Sequence, residues 1–67
     1  MKQEALNEFY GRDISELAAF LRHNFYILSF QRIVGGRGSY IFSRAGHRPL
    51  EAYTDYNIIY EIWGGDK

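Results

Sequence analysis

The sequence predicts an α+β fold in which an N-terminal helix packs on one face of a three-stranded antiparallel β-meander, in the order α-β-β-β. Three observations lead to this prediction: an apolar stripe with helical spacing, three later segments rich in aromatic and β-branched residues, and glycine-containing turns between them. Short connections make pairing between consecutive strands the default. We expect residues 1–67 to form a single small domain.

The predicted helix covers about residues 14–23. Its apolar side chains recur at i, i+3, i+4 and i+7, and they are Ile14, Leu17, Ala18 and Leu21. Asp13 precedes this stripe and Glu16 follows three residues later, which is the pattern of a capping box. Two interpretations stay open upstream: the helix starts near residue 3, or Gly11 interrupts it and residues 3–10 form a separate short helix.

The three predicted strands cover about residues 25–34, 39–44 and 52–63. The first two flank the sequence GGRG, a turn signal because glycine adopts positive φ without strain. Pro49 lacks a backbone N–H, so the third strand is expected to begin after it. In the second half of that strand, alternation assigns one set of side chains to the helix side: Tyr56, Ile58, Tyr60 and Ile62.

The chain has no net charge, but its charges are separated along the sequence. Residues 1–16 carry two cations and four carboxylates, residues 17–50 carry five arginines and no acid, and residues 51–67 carry one lysine and four carboxylates. There is no cysteine, which excludes disulfides and thiolate metal sites. No run approaches the roughly 20 apolar residues of a membrane helix. We therefore expect a cytoplasmic protein that does not bind membranes.

The arginine-rich hairpin is the first candidate site. Arginine forms bidentate contacts with phosphate or carboxylate and stacks on aromatic rings, and a hairpin tyrosine can stack on a base. The predicted binding residues are Arg32, Arg37, Tyr40, Arg44, His47 and Arg48. The register is left open: an even pairing sum places Arg32 and Arg44 on one face, and an odd sum separates them. Alternatively, the arginines are ordinary surface charges, and Glu51, Asp55 and Glu61 of the third strand pair with Arg44, Arg48 and Arg32 across the ladder.

A second candidate interface lies on the last strand. Tyrosine and tryptophan among mixed charges are typical of protein interfaces, and the predicted residues are Tyr53, Asp55, Ile59 and Trp63. The alternative is that Trp63 only completes a thin core. A long strand at a sheet edge can also pair with its copy in a second chain, which would give a homodimer.

An enzyme is a weaker interpretation. His23 and His47 are the only imidazoles, and nothing in their spacing brings them together as an acid–base pair. No cluster of His, Asp and Glu has the spacing of metal ligands. We therefore predict no catalytic residues, no metal and no cofactor.

These observations predict a small non-enzymatic interaction protein that sterically blocks a larger nucleic-acid-handling protein or nucleoprotein complex. In size and style it resembles inhibitors and regulators encoded by phages and mobile elements, anti-CRISPR proteins among them; this is an analogy of size, not of motif. The first alternative is a regulator that binds DNA or RNA directly through the arginine-rich hairpin. The second is a small nuclease or toxin that depends on His47.

Overall fold

The computed structural model describes residues 3–65, so the predictions that involve Lys2, Asp66 and Lys67 lie outside the described residues. The fold is α+β, with helices N-terminal to an antiparallel sheet of four strands in the order β1-β2-β3-β4. The elements are α1 Gln3–Asn7, α2 Ile14–His23, β1 Ile27–Val34, β2 Arg37–Ser43, β3 Leu50–Asp55 and β4 Ile58–Gly64. No helix within residues 3–65 is long and apolar enough to cross a bilayer.

Helix α2 is capped at both ends, but not as the capping-box pattern predicts. The Asp13 carboxylate accepts a hydrogen bond from the Ser15 N–H at 2.8 Å, while Glu16 pairs with Arg12 at 3.2 Å. At the C-terminus, Phe25 adopts φ 67°, a conformation that glycine usually supplies after a helix. A bulky aromatic residue in this conformation is unusual, so the backbone at Phe25 is locally strained shortly before β1 begins.

The segment before α2 contains a separate short helix. Gly11, with φ 82°, interrupts helical geometry between the two helices. Helix α1 ends at Asn7, and the Phe9 ring packs against the Phe20 ring of α2 with centroids 5.0 Å apart. This contact holds the N-terminal segment against the longer helix.

The predicted third strand is wrong, because it is a hairpin of two strands. Tyr56 and Asn57 have φ 49° and 71° and form a two-residue turn between Asp55 and Ile58. Positive φ at both central residues is the conformation that hairpins of this length favour. The β1–β2 hairpin has the same kind of turn, made by Gly35–Gly36, and the Tyr56 N–H donates to the Gly36 carbonyl at 2.8 Å.

A β-bulge in β1 and another in β4 decide which side chains face the helices. In β1 the pairing shifts between Leu28 and Phe30, and in β4 two residues, Tyr60 and Glu61, occupy the space opposite Tyr53. Each bulge places two consecutive side chains on one face and reverses the alternation beyond it. The sequence pattern alone does not reveal these two reversals.

The core lies between the helices and the inner face of the sheet. Its buried apolar residues are Leu6, Leu17, Leu21, Tyr26, Tyr40, Phe42, Leu50, Ala52, Ile59 and Ile62. Burying one large aliphatic or aromatic side chain contributes about 1.5–3 kcal/mol. The opposite face of the sheet has no helix on it within the described residues, and we call it the open face.

The two edges of the sheet differ. Residues before α2 pair with the outer edge of β4: the Gly11 N–H donates to the Ile59 carbonyl at 2.8 Å, and the Ile59 N–H donates to the Arg12 carbonyl at 2.9 Å. The Tyr10 hydroxyl accepts from the Ile62 N–H at 3.1 Å. The outer edge of β1 has no such backbone partner among residues 3–65.

Candidate functional site

The open face is divided by charge along the line between β2 and β3. The register places Arg32 and Arg37 on the β1–β2 half, where Arg32 pairs with Ser39 and Arg37 pairs with Val34. The β3–β4 half carries three carboxylates and no cation between Leu50 and Gly64. We call this half the acidic–aromatic face, and its residues are Glu51, Tyr53, Asp55, Ile58, Tyr60, Glu61 and Trp63.

The acidic–aromatic face exposes large side chains around a small hydrogen-bonded group. Trp63 is 59% exposed although it pairs directly with Glu51 across the ladder. The Tyr53 hydroxyl donates to the Glu51 carboxylate at 2.6 Å. This bond to the carboxylate raises the pKa of Tyr53, because the tyrosine must keep its proton to make it. The polar groups are therefore oriented, while the tryptophan ring remains open to solvent.

Arg37 lies where the two halves meet. Its guanidinium is 3.7 Å from the Asp55 carboxylate and 5.8 Å from the centre of the Tyr60 ring. Both side chains of the ion pair are more than half exposed, so the pair contributes at most about 1 kcal/mol. Arg37 therefore already has an internal carboxylate and an aromatic ring as neighbours, a pairing that the neutralisation alternative did not include.

Arg44 and Arg48 lie at the far end of the hairpin from Arg37. Arg37 begins β2, whereas Arg44 follows its last residue, so about seven strand residues at roughly 3.3 Å each separate the two, or about 23 Å. Arg44 lies over the exposed Phe25 ring, 5.5 Å from its centre. Arg48 and His47 belong to the β2–β3 connection, with His47 6.2 Å from the Tyr26 ring. The arginines therefore form two groups rather than one patch.

Two predicted contact residues are in the core. Tyr40 is 5% exposed and Ile59 is 1% exposed, so neither side chain can contact a partner. Tyr40 faces inward because the Gly35–Gly36 turn sets an odd pairing sum, which places Arg32 on the opposite face. Ile59 faces inward because the bulge at Tyr60 reverses the expected alternation.

The same bulge corrects the predicted inward set of the last strand. Of its four members, only Ile62 is buried; Ile58 and Tyr60 are exposed, and Tyr56 lies in the hairpin turn. Tyr53, Asp55 and Trp63 lie together on the open face, where the second candidate interface was predicted.

The sequence prediction missed the surface of β1. All eight of its residues are exposed, including five large apolar side chains. The signal for this surface was the apolar content of both alternating sets of β1, which is more than a one-sided strand requires.

The two histidines belong to different parts of the chain. His23 ends α2, and His47 lies in the β2–β3 connection. Among the described residues, no group of three or more His, Asp or Glu side chains is placed to hold a metal ion.

Comparison with known proteins gives no further guide. No family model matches the chain, and neither a curated protein nor a solved structure matches it.

Proposed function

We propose that this chain is a small non-enzymatic interaction protein that binds a basic protein surface through its acidic–aromatic face. The observation that carries the proposal is the 59% exposed Trp63, which lies on the same face as the exposed Ile58 and Tyr60, on strands that carry only negative charge. Scattered exposed aliphatic residues are ordinary on protein surfaces, but a grouped aromatic patch with a polar rim is typical of interaction sites.

The charge of this face favours a particular class of partner. Glu51, Asp55 and Glu61 surround the aromatic side chains, and complementary potential selects a partner with a positive surface. Proteins that handle nucleic acids expose such surfaces, because they neutralise phosphates with lysine and arginine. Binding there would exclude the nucleic acid sterically and by repulsion. Cytoplasmic location and the comparison with phage-type inhibitors stay predictions.

Direct DNA or RNA binding is the second candidate, and Arg32 with Arg37 is the observation that favours it. The two lie diagonally across the β1–β2 pair, on one face and within about 7–8 Å by backbone geometry. Against this candidate, Arg37 already neighbours Asp55, and the adjacent acidic–aromatic face would repel phosphates. The nuclease alternative has less support, because no observation on His23 or His47 favours an acid–base pair; His23 ends α2 and His47 lies in the β2–β3 connection.

The two candidates are separated by a salt titration and a capture experiment. Direct binding predicts measurable affinity for a 20-base-pair duplex at low salt that falls steeply as salt rises. The interaction proposal predicts no duplex binding at low salt. It also predicts capture of a basic protein from nuclease-treated lysate of the native host by the wild type and by Phe25→Ala, but not by Trp63→Ala.

Phe25 is the matched control because it is also a strongly exposed aromatic residue, 76% exposed, but lies before β1 rather than on the acidic–aromatic face. Glu61→Lys tests the charge argument separately, and it should weaken capture while leaving the apolar side chains in place. The proposal is wrong if Trp63→Ala and Glu61→Lys capture the same protein as the wild type, or if duplex binding alone is found.

A further inference from the structure

Strand β1 is an exposed edge strand with apolar side chains on both faces. All eight residues from Ile27 to Val34 are exposed. Leu28 and Ile33 lie on the helix side of the sheet, at 45% and 52% exposure, while Ile27, Phe30 and Val34 lie on the open face. An edge strand normally carries charges or a bulge that discourage pairing. In β1 these devices amount to one charge, Arg32, and the bulge at Ser29 and Phe30, which any pairing has to accommodate.

The contrast with the other edge shows that exposure is specific to β1. The outer edge of β4 is covered by Gly11, Arg12 and the Tyr10 hydroxyl, which take up backbone groups of Ile59 and Ile62. Within residues 3–65, the outward-directed N–H and C=O groups of β1 have no corresponding partner. Such a row of unpaired groups is a template for another strand.

The side chains of β1 are self-complementary when the strand is paired with an inverted copy. Ser29 and Phe30 share one pairing position because of the bulge, so Gln31 becomes the centre of the strand. Inversion about Gln31 then brings together side chains that lie on the same face of the sheet. The resulting pairs are Ile27 with Val34, Leu28 with Ile33, Phe30 with Arg32, and Gln31 with itself.

This pairing places no two like charges directly opposite each other, although the two Arg32 residues are diagonal neighbours about 7–8 Å apart. Arg32 of each copy lies opposite Phe30 of the other, where a guanidinium can pack on an aromatic face. Gln31 lies opposite its own copy, and amide side chains can both donate and accept hydrogen bonds. Aliphatic pairs occupy both ends, so every position has a compatible neighbour.

The exposed apolar side chains in and next to β1 supply part of the area that a stable dimer needs. Phe25 and Phe30 are 76% and 48% exposed, which corresponds to about 250 Å² if a full aromatic side chain presents roughly 200 Å². Four exposed aliphatic residues of β1 add to this, and a standard interface buries about 800 Å² per partner. A groove of about 310 Å³ between α2 and β1, lined in part by Ala18, Leu28 and Phe42, adjoins the pairing position of Ile33 from the second copy.

We propose that two copies of this chain associate by antiparallel pairing of their β1 strands about Gln31, which forms one continuous eight-stranded sheet. Both acidic–aromatic faces then lie on the same side of that sheet and remain exposed, because they belong to β3 and β4. The proposal does not depend on the proposed function, since it concerns a different edge of the molecule and needs only the purified chain.

Sedimentation of the purified chain over a concentration series tests the association. The wild type should sediment as a species of twice 7.9 kDa. Ile33→Lys should weaken self-association at least tenfold, because two copies of the new charge lie beside apolar pairs at the strand ends. Ile58→Lys is the matched control, an exposed isoleucine on the covered edge, and it should leave self-association unchanged.

A cysteine cross-link tests the register, and the chain has no cysteine of its own. Opposed residues in antiparallel strands have Cα atoms about 4.5–5.5 Å apart, which is within the range that a disulfide spans. Gln31→Cys should therefore form a covalent dimer under mild oxidation, whereas Ala19→Cys, on the exposed side of α2, should stay monomeric.

A wild-type chain that stays monomeric at millimolar concentration overturns the proposal. So does a dimer that Ile58→Lys dissociates and Ile33→Lys does not, because that result assigns the contact to β4. Circular dichroism checks that each variant is folded. If Ile33→Lys does not fold, it is replaced by Val34→Lys, at the neighbouring exposed residue that ends β1.

Discussion

The Tyr10 hydroxyl bonds to the outer edge of β4, and its removal tests how that edge is covered. It accepts a hydrogen bond from the Ile62 N–H at 3.1 Å, and it lies 3.3 Å from the Ile62 carbonyl and 3.1 Å from a Glu61 carboxylate oxygen, to either of which it can donate. Tyr10→Phe removes this hydroxyl and keeps the ring. The backbone groups of Ile62 then lose their partner at a partly buried position.

The expected loss follows from the number of bonds removed. One hydrogen bond contributes about 0.5–1.5 kcal/mol net, and a buried donor left without a partner costs about 1–3 kcal/mol. Because the bonds between the Tyr10 hydroxyl and the Ile62 backbone are only partly buried, we expect a loss of about 1–2 kcal/mol in the free energy of unfolding. For a domain of this size, each kcal/mol lowers the melting temperature by about 4–8 °C.

Thermal unfolding and amide hydrogen exchange measure the two consequences. The melting temperature of Tyr10→Phe should fall by roughly 5–15 °C, and the Ile62 amide should exchange faster than in the wild type. Tyr60→Phe, at an exposed tyrosine of the same strand, should change neither quantity appreciably. An unchanged Ile62 exchange rate in Tyr10→Phe would refute the closure of this edge by the hydroxyl.

The same contact predicts a pH effect in the alkaline range. Burial raises the pKa of Tyr10 above its ordinary value of 10.0, the backbone bond to Ile62 opposes this, and Glu61 adds to the rise. Because the folded-state pKa is the higher one, the stabilisation is fully present below pH 10.0 and is lost as the pH rises through the folded-state pKa. Tyr10→Phe should therefore show a smaller loss of melting temperature than the wild type in this range.

Three further substitutions test the turns, the bulge and the helix cap. In thermal unfolding, Gly36→Ala should destabilise the fold more than Gly35→Ala. Both glycines have positive φ, but only at residue 36 would a new Cβ lie 2.8 Å from an aromatic ring. Equal losses of melting temperature would contradict this. Ile59→Ala should cost about 2–5 kcal/mol in urea unfolding and Ile58→Ala less than about 1 kcal/mol, and the reverse order would mean that the bulge is misplaced. Asp13→Ala should lower the melting temperature at neutral pH, because a backbone N–H bond lowers the pKa of this carboxylate. The stabilisation is present above its ordinary value of 3.8 and is lost as the pH falls through the lowered pKa, so the difference from the wild type should shrink near pH 2.

The N-terminal part of the fold could be predicted from local chemistry. Leu17 and Leu21 belong to an apolar stripe that a single helix face explains, and Asp13 stands where a cap is required. The break at Gly11 was one of two interpretations, and the structure contains the separate short helix. These features depend on residues close in sequence, which is why the sequence indicates them.

The last strand could not be divided correctly from the sequence. Tyr56 and Asn57 form a turn without glycine, and the tyrosine has a residue type that favours strands. The bulge at Tyr60 then shifts the alternation by one residue, which reverses the faces of Ile58 and Ile59. Both features are set by pairing with neighbouring strands, so the local pattern favours one uninterrupted strand.

The candidate site was predicted in part for a related reason. The face of Tyr40 depended on the hairpin register, which the sequence left open although Gly35–Gly36 is a strong signal for a two-residue turn. The separation of Arg37 from Arg44 follows from the length of β2 rather than from their distance in sequence. Charges counted along the sequence therefore suggest a single basic patch, whereas the fold places Arg37 and Arg44 at opposite ends of β2.

The covered border of β4 limits how far these molecules can join. A sheet with two available borders would add subunits head to tail without a natural stopping point, as fibres do. Here the stretch around Gly11 occupies one border, so within residues 3–65 the β1 border alone is open to strand addition. If two molecules pair through β1 as proposed, shortening the chain ahead of the long helix would remove that stop and turn finite pairs into open-ended polymers.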